Sequence, residues 1–259
     1  MAKIHYLGTC SGTEPIKGMH HVSFVLEVNG VNYWFDAGEN CAHYAFTSGI
    51  DVMKTKALFI SHTHIDHTGG LANLFHSIRK LIVRENKSLI NQVLDVFIPK
   101  KEILDCAVML VTNGRFNEFD IVKYNSVQDG VVFEDENVKV TALHNRHLGE
   151  DGSNGWHSYS YLVEFEGKKM VFSGDVKKSY ELDELIGDGC DLLLHETGHH
   201  KVQTILDYVL SKNVKALRFI HHGREIIYER DRCETLVKDF SQQYGIDAKI
   251  CHDLMIDEI

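Results

Sequence analysis

Seventeen histidines are many for a chain of 259 residues, and four metal-ligating side chains fall inside one stretch of six, His62-Thr63-His64-Ile65-Asp66-His67. Histidine is the commonest metal ligand and titrates nearest neutral pH. Two histidines two residues apart on extended chain point to the same side and can clamp one ion. Asp66 and His67, where the chain turns, can reach a second ion beside it. Imidazole with carboxylate suits zinc first, then manganese or iron. A pair of such ions generates a nucleophile at neutral pH and polarises the oxygen under attack, so the chemistry on offer is hydrolysis.

These side chains need a frame. The apolar run Ala57-Leu58-Phe59-Ile60 reads as a buried strand feeding directly into the histidines. A helix is expected over Thr68–Lys80, with Leu71, Leu74, Phe75 and Ile78 on one face. Before the motif, strands are expected at Ile4–Leu7, Val22–Val28 and Val31–Phe35, the last two joined by the hairpin turn Asn29-Gly30. A short helix is expected at Cys41–Ser48. After it come a strand at Val93–Ile98, a helix at Glu102–Val111 ended by Asn113-Gly114, and strands at Ile121–Tyr124, Val138–Leu143, Tyr159–Phe165 and Met170–Phe172. The last third alternates: helices near Glu181–Ile186, Val202–Leu210 and Arg232–Tyr244, and strands at Leu192–Leu194, Ala216–Ile220, near Ala248–Ile250 and near Met255. No linker or low-complexity stretch divides the chain, so a single layered α/β domain over residues 1–259 is expected. Ala57–His62 and Ala216–His221 both run an apolar strand into histidine, a faint internal echo.

The His-x-His-x-Asp-His segment after a strand resembles the signature of the metallo-β-lactamase superfamily. Gly8-Thr9-Cys10-Ser11-Gly12, Phe35-Asp36-Ala37-Gly38 and Ser173-Gly174-Asp175 resemble further family segments and occur in the family's order. The resemblance implies an αβ/βα four-layer sandwich, two mixed sheets with helices on the outer faces and the site at one rim. It implies two divalent ions: His62, His64 and His144 at the first, Asp66, His67 and His221 at the second, Asp175 bridging both, and a hydroxide between them. Asp36 would hold a ligand histidine from behind. His147 is the alternative to His144, and His222 the alternative to His221. Asp66 would also orient the hydroxide or take its proton.

Within the superfamily, Leu192-Leu193-Leu194-His195-Glu196-Thr197 resembles the His-Glu-Ala-Thr segment of the tRNase Z and phosphodiesterase branch. The opening Tyr6-Leu7-Gly8-Thr9 and Tyr159–Glu164 are similar to the same branch. That likeness gives His195 a catalytic place and lets His199 or His200 protonate the leaving oxygen. The Gly/Pro-rich arm with which tRNase Z grips tRNA is missing, and the chain has only 2 prolines. A small or nucleotide-type phosphodiester is therefore the expected substrate and tRNA is not. Another ester class, a lactone or thioester, and a metal-binding regulatory protein are the competing readings.

Composition narrows the classes. Thirty-seven acidic against 27 basic residues give a formal charge of −10, which argues against a protein that coats nucleic acid. No apolar run spans a bilayer and no signal peptide opens the chain, so no membrane partner and a cytoplasmic location are expected. The six cysteines form no C-x-x-C pair and are read as reduced. Cys41, Cys106, Cys190 and Cys233 are expected half-buried and Cys10 near a site. Trp156 and His157, in a Gly/Ser-rich loop, are either substrate contacts or plain surface. His5, His20, His21, His43, His76 and His252 have no motif around them. The oligomeric state stays open, a homodimer included.

Overall fold

The computed structural model describes residues 1–115, 119–149 and 155–259. The chain divides into two units, one of Met1–Gly8, Pro15–Val127 and Asp253–Ile259, the other of Thr9–Glu14 and Gln128–His252.

In the first unit β1 (Lys3–Gly8), β2 (Ser23–Val28) and β3 (Val31–Phe35) form an antiparallel meander, and β4 (Thr55–Phe59), β5 (Leu94–Phe97) and β6 (Val122–Asn125) continue the sheet in parallel. Asn29 and Gly30 both take positive φ, 52° and 74°, the requirement of a two-residue hairpin whose twist matches its strands. Parallel strands need crossovers. Here these are α1 (Cys41–Thr47), the short α2 (Ile65–Thr68) followed by α3 (Leu71–Glu85), and α4 (Lys101–Thr112). Leu71, Leu74, Phe75 and Ile78 of α3 are all buried in one apolar cluster with Leu58, Ile60 and the inner face of α4. α3 and α4 each stop at an asparagine in the left-handed region, Asn86 and Asn113, a standard way to end a helix. The single helix expected over Thr68–Lys80 is instead two, because the chain breaks at Gly69-Gly70 after the metal motif.

The second unit repeats the plan. β7 (Gly130–Glu134), β8 (Val138–His144), β9 (Tyr159–Phe165) and β10 (Lys168–Phe172) pair antiparallel, and β11 (Cys190–Glu196), β12 (Val214–Ile220) and β13 (Asp247–Ile250) extend the sheet in parallel. A 3-10 turn at Ser179–Leu182 leads into α5 (Asp183–Ile186); α6 (Val202–Leu210), α7 (Arg224–Tyr228) and α8 (Arg230–Tyr244) make the later crossovers. Leu193, Leu217, Val202, Ile205 and Val237 belong to its buried apolar cluster. The segment Thr9–Glu14 belongs here through Ser11, whose N–H (3.1 Å) and hydroxyl (2.7 Å) both donate to the His222 carbonyl.

β14 (Ile256–Glu258) returns to the first unit and pairs antiparallel with β1, Lys3 opposite Glu258. Each sheet thus has seven strands among the described residues, three antiparallel pairings followed by three parallel ones. Two mixed sheets with helices are the content of the αβ/βα class expected from the sequence. β7 and α7 were not anticipated. The cysteines are reduced, but Cys106 is exposed rather than half-buried, because it lies on the outer face of α4.

Candidate metal centre

In the first unit every candidate hangs on the C-terminal ends of β3 and β4, where parallel strands deliver their loops. Asp36 follows β3 and is fully buried. Its Oδ1 accepts from the Ser61 N–H (2.7 Å), and its Oδ2 from the Ser61 hydroxyl (2.8 Å) and His67 Nδ1 (2.7 Å). A carboxylate only accepts, so His67 donates through Nδ1 and carries its lone pair on Nε2. That Nε2 lies 3.4 Å from Asp66 Oδ2. The Ser61 oxygen also sits 3.2 Å from His62 Nδ1, which directs His62 Nε2 to the other side, 3.0 Å from His64 Nδ1. Ligands about 2 Å from one ion sit about 3 Å apart, so this spacing fits a shared cation. The loops approach backbone to backbone: a Cβ on Gly38 would lie 2.8 Å from the Asp66 carbonyl.

In the second unit the candidates follow β10, β11 and β12, with His147 on the chain leaving β8. Asp175, 2% exposed, places Oδ1 3.2 Å from His221 Nδ1 and Oδ2 3.7 Å from His147 Nε2. Donor atoms of Asp175, Glu196, His199 and His221 all lie within 4.8 Å of one another. Glu196 is fully buried; its Oε2 accepts from the His199 N–H (2.9 Å) and its Oε1 from His199 Nδ1 (3.1 Å). Burial alone would raise the Glu196 carboxyl, but hydrogen bonds from His199 and His221 outweigh it and hold it well below the usual range. The same hydrogen bond, donated by His199 to Glu196, raises His199 above an ordinary imidazole. Gly198 leaves room for the ligand ring, since a Cβ there would stand 2.7 Å from His221 Nδ1. Imidazole and carboxylate donors, oriented from behind and converging, fit divalent ions of the zinc or manganese kind.

The expected residues divide as follows. His62, His64, Asp66 and His67 gather in the first unit, and Asp175 and His221 in the second. His147, not His144, is the one beside Asp175. His144 is still paired in the β8–β9 ladder opposite Tyr159, and its backbone N–H and Nδ1 both donate to Asp129, at 2.7 and 2.6 Å. The chain must leave the strand before a histidine reaches Asp175. His222 is turned inward: Nε2 donates to the Cys251 carbonyl (2.8 Å), and burial pushes its pKa down to about 3. His195 is also turned away. Nδ1 donates to the Glu196 carbonyl (2.7 Å) and Nε2 accepts from Ser179 (3.0 Å). His200 donates to the Val176 carbonyl (2.9 Å), so of His199 and His200 it is His199 that faces Asp175, at 3.8 Å. Glu196, Ser61 and Asp129 were missed as working residues. Strand parity could have found Glu196: Leu193 and His195 share the helix-facing side of β11, so Glu196 shares the other with Leu192 and Leu194.

Comparison with known proteins completes the assignment. Residues 2–229 match the family described as Anti-Pycsar protein Apyc1. The chain belongs to that family. This Apyc1-family chain is also 31% identical over 145 residues to a ribonuclease Z of Methanothermobacter thermautotrophicus, 55% of its own length and 43% of the relative's. It spans about half or less of the first curated relatives it matches. Among solved structures it is similar to the metallo-β-lactamase fold protein YhfI from Bacillus subtilis (TM-score 0.74, 14% identity, 100% of both chains). It is equally similar to the short form of human tRNase Z (TM-score 0.73, 18% identity, 99% of both chains). The Apyc1-family chain therefore has the metallo-β-lactamase fold. No described helix is long and apolar enough to cross a membrane.

Proposed function

We propose that residues 1–259 form one catalytic domain, a metal-dependent phosphodiesterase acting on a small or nucleotide-type phosphodiester. His62, His64, Asp66 and His67 in the first unit, and His147, Asp175 and His221 in the second, would be the ligands of divalent ions, zinc first. Bound there, the ions would supply a nucleophile at neutral pH and polarise the phosphoryl oxygen.

The observation that carries this reading is the Glu196–His199 pair beside Asp175 and His221. A buried carboxylate that accepts from a histidine's backbone N–H and from its ring nitrogen is what a general acid needs: it orients the residue and favours the protonated imidazole. His199 would give that proton to the departing oxygen, and Asp66 would take one from the attacking side. A plain metal-storage or scaffold protein has no use for such a pair. The likeness to ribonuclease Z relatives supports phosphodiester chemistry. The acidic balance and the absence of a Gly/Pro-rich insertion in the sequence argue for a small substrate over tRNA. The reduced cysteines suit the cytoplasm.

The test is hydrolysis of phosphodiesters with Zn²⁺ or Mn²⁺ added, with chromogenic lactone and thioester controls. His199→Ala should lower turnover about 100-fold for alkyl or ribosyl leaving groups and far less for p-nitrophenolate, which departs without a proton. No turnover of any phosphodiester with any metal, and no difference between His62→Ala and wild type, would sink the proposal.

A further inference from the structure

The turn that brings His147 beside Asp175 is built on one buried amide. Asn145 follows β8 directly and is 1% exposed. The pairing with β9 continues to it, since its backbone N–H donates to the Ser158 carbonyl (2.9 Å). Its side-chain Oδ1 accepts from the His147 N–H at 3.1 Å. A side-chain oxygen bound to the N–H two residues on makes an Asx turn, which carries the chain out of the strand. Oδ1 also accepts from the Ser158 hydroxyl. Nδ2 donates to Ser160 Oγ (3.1 Å), and Ser160 Oγ donates to the Ser173 carbonyl. Ser173 Oγ donates to the Gly174 carbonyl (2.6 Å) and accepts from the Glu196 N–H (3.0 Å). Ser158, Ser160 and Ser173 are fully buried. The network thus crosses from β8 to β11 and holds backbone at His147, at the residues just before Asp175, and at Glu196.

We propose that Asn145 is a positioning residue: it sets the point at which the chain leaves β8, and so aims His147 rather than His144 at Asp175. The inference rests on the reading of His147 and Asp175 as metal ligands and adds the residue that brings them together. Three observations carry it. First, the direction of every bond is fixed. A backbone N–H only donates, so the atom facing His147 is Oδ1 and Nδ2 faces Ser160. Ser160 then gives its own proton to the Ser173 carbonyl, and Ser173 its own to Gly174. Second, the network holds the chain on both sides of the proposed ligand pair, whose His147 Nε2 and Asp175 Oδ2 lie 3.7 Å apart. The His147 N–H and the Ser173 carbonyl are joined through just two side chains, Asn145 and Ser160. Third, stability does not require polar groups here. Ser160 lies two residues before Leu162 and Ser173 two after Val171, and both of those pack in the apolar cluster of this unit. Replacing both partners of a buried hydrogen bond by apolar groups of the same shape can be nearly neutral. An apolar side chain could not accept the His147 N–H.

The test compares variants of the full chain in two ways. One is zinc affinity, from competition with a chromophoric chelator. The other is hydrogen exchange of the His147 amide in metal-free protein, resolved by nuclear magnetic resonance. Asn145→Ala should weaken zinc binding about ten-fold, the lower range for losing a residue that orients a ligand. It should speed exchange of the His147 amide by a similar factor. Asn145→Asp keeps the acceptor and should return both readouts towards wild type, although it too loses the bond to Ser160. A merely structural role predicts instead that zinc affinity follows stability in urea, with Asn145→Asp no better than Asn145→Ala. Ser160→Ala touches no proposed ligand; it should weaken zinc about three-fold, a modest coupling through one bond, with the circular dichroism of the wild type. Wild-type zinc affinity or wild-type amide exchange in Asn145→Ala overturns the proposal, and so does an Asn145→Asp variant no better than Asn145→Ala. If Asn145→Ala does not fold, unchanged zinc affinity in Ser160→Ala overturns it. If the wild type binds no zinc, the ligand reading fails, while the His147 amide still decides whether Asn145 holds the turn.

Discussion

His221 depends on a residue with no side chain. Its own backbone is in the left-handed region, φ 49°, and Gly198 is the gap that admits its ring. Gly198→Ala should push Nδ1 off Asp175 and weaken zinc binding at least ten-fold, read by competition with a chromophoric chelator, while the far-ultraviolet circular dichroism stays that of the wild type. A second residue-scale consequence concerns acid. Burial pushes His195 down to about 4 from 6.5. Folded His195 stays neutral where the unfolded imidazole is already protonated, so the unfolded state binds more protons between those values. Its contribution is intact above about pH 6.5 and is lost as pH falls towards 4, on the order of 3 kcal/mol. Urea unfolding at pH 7 and pH 4.5 should show that loss, and His195→Asn should show less of it; an equal loss would assign the acid sensitivity elsewhere. At this scale the sequence was most legible where ligands crowd together. His62, His64, Asp66 and His67 are neighbours in the chain, so their convergence is local. His144 against His147 was not legible, because the choice turns on where β8 stops pairing with β9.

Turns and boundaries follow local chemistry more closely. Asn29-Gly30, the ending of α4 at Asn113 and the whole of α6 were readable because each has a local cause: a turn needing positive φ, a cap, a run of apolar residues at helical spacing. Gly30→Val should therefore destabilise the β2–β3 hairpin by about 1–2 kcal/mol, the cost of a left-handed residue with a Cβ, visible as a lower thermal midpoint; Asn29→Gly should be nearly silent. β7 escaped notice for a physical reason. It is a sheet edge with Val131 exposed, so no buried face imposes an apolar alternation. The sides of β11 were legible in principle but overridden by the likeness of the His195-Glu196 segment, which drew attention to the histidine when the carboxylate was the residue on the site's side.

Across the whole molecule, the echo between Ala57–His62 and Ala216–His221 is not a positional match. Counting from the antiparallel end, β4 corresponds to β11 and β12 to β5, while β3 with Asp36 corresponds to β10 with Asp175. The duplication is one of sheet plan, with a carboxylate after the first parallel strand of each unit, and sequence similarity pointed to the wrong strand. Metal ions held by ligands that only folding brings together stabilise the folded chain only. At a thousand times Kd the effect is about 4 kcal/mol. Chelation should lower the calorimetric midpoint, Zn²⁺ should restore it, and His62→Ala should respond less; an unresponsive wild type would count against bound metal.

The pairing of β1 with β14 also bears on the order in which the protein is made. Tyr6 donates to Asp257 across 251 residues of sequence, and Lys3 faces Glu258. On the ribosome, every strand of the second unit has emerged before β14 exists. The usual N-terminal-first order is thus inverted for the last step. The first sheet must wait with the outer edge of β1 open, and an open edge invites pairing with another chain. During synthesis, β1 therefore leaves the ribosome long before the strand that covers its outer edge.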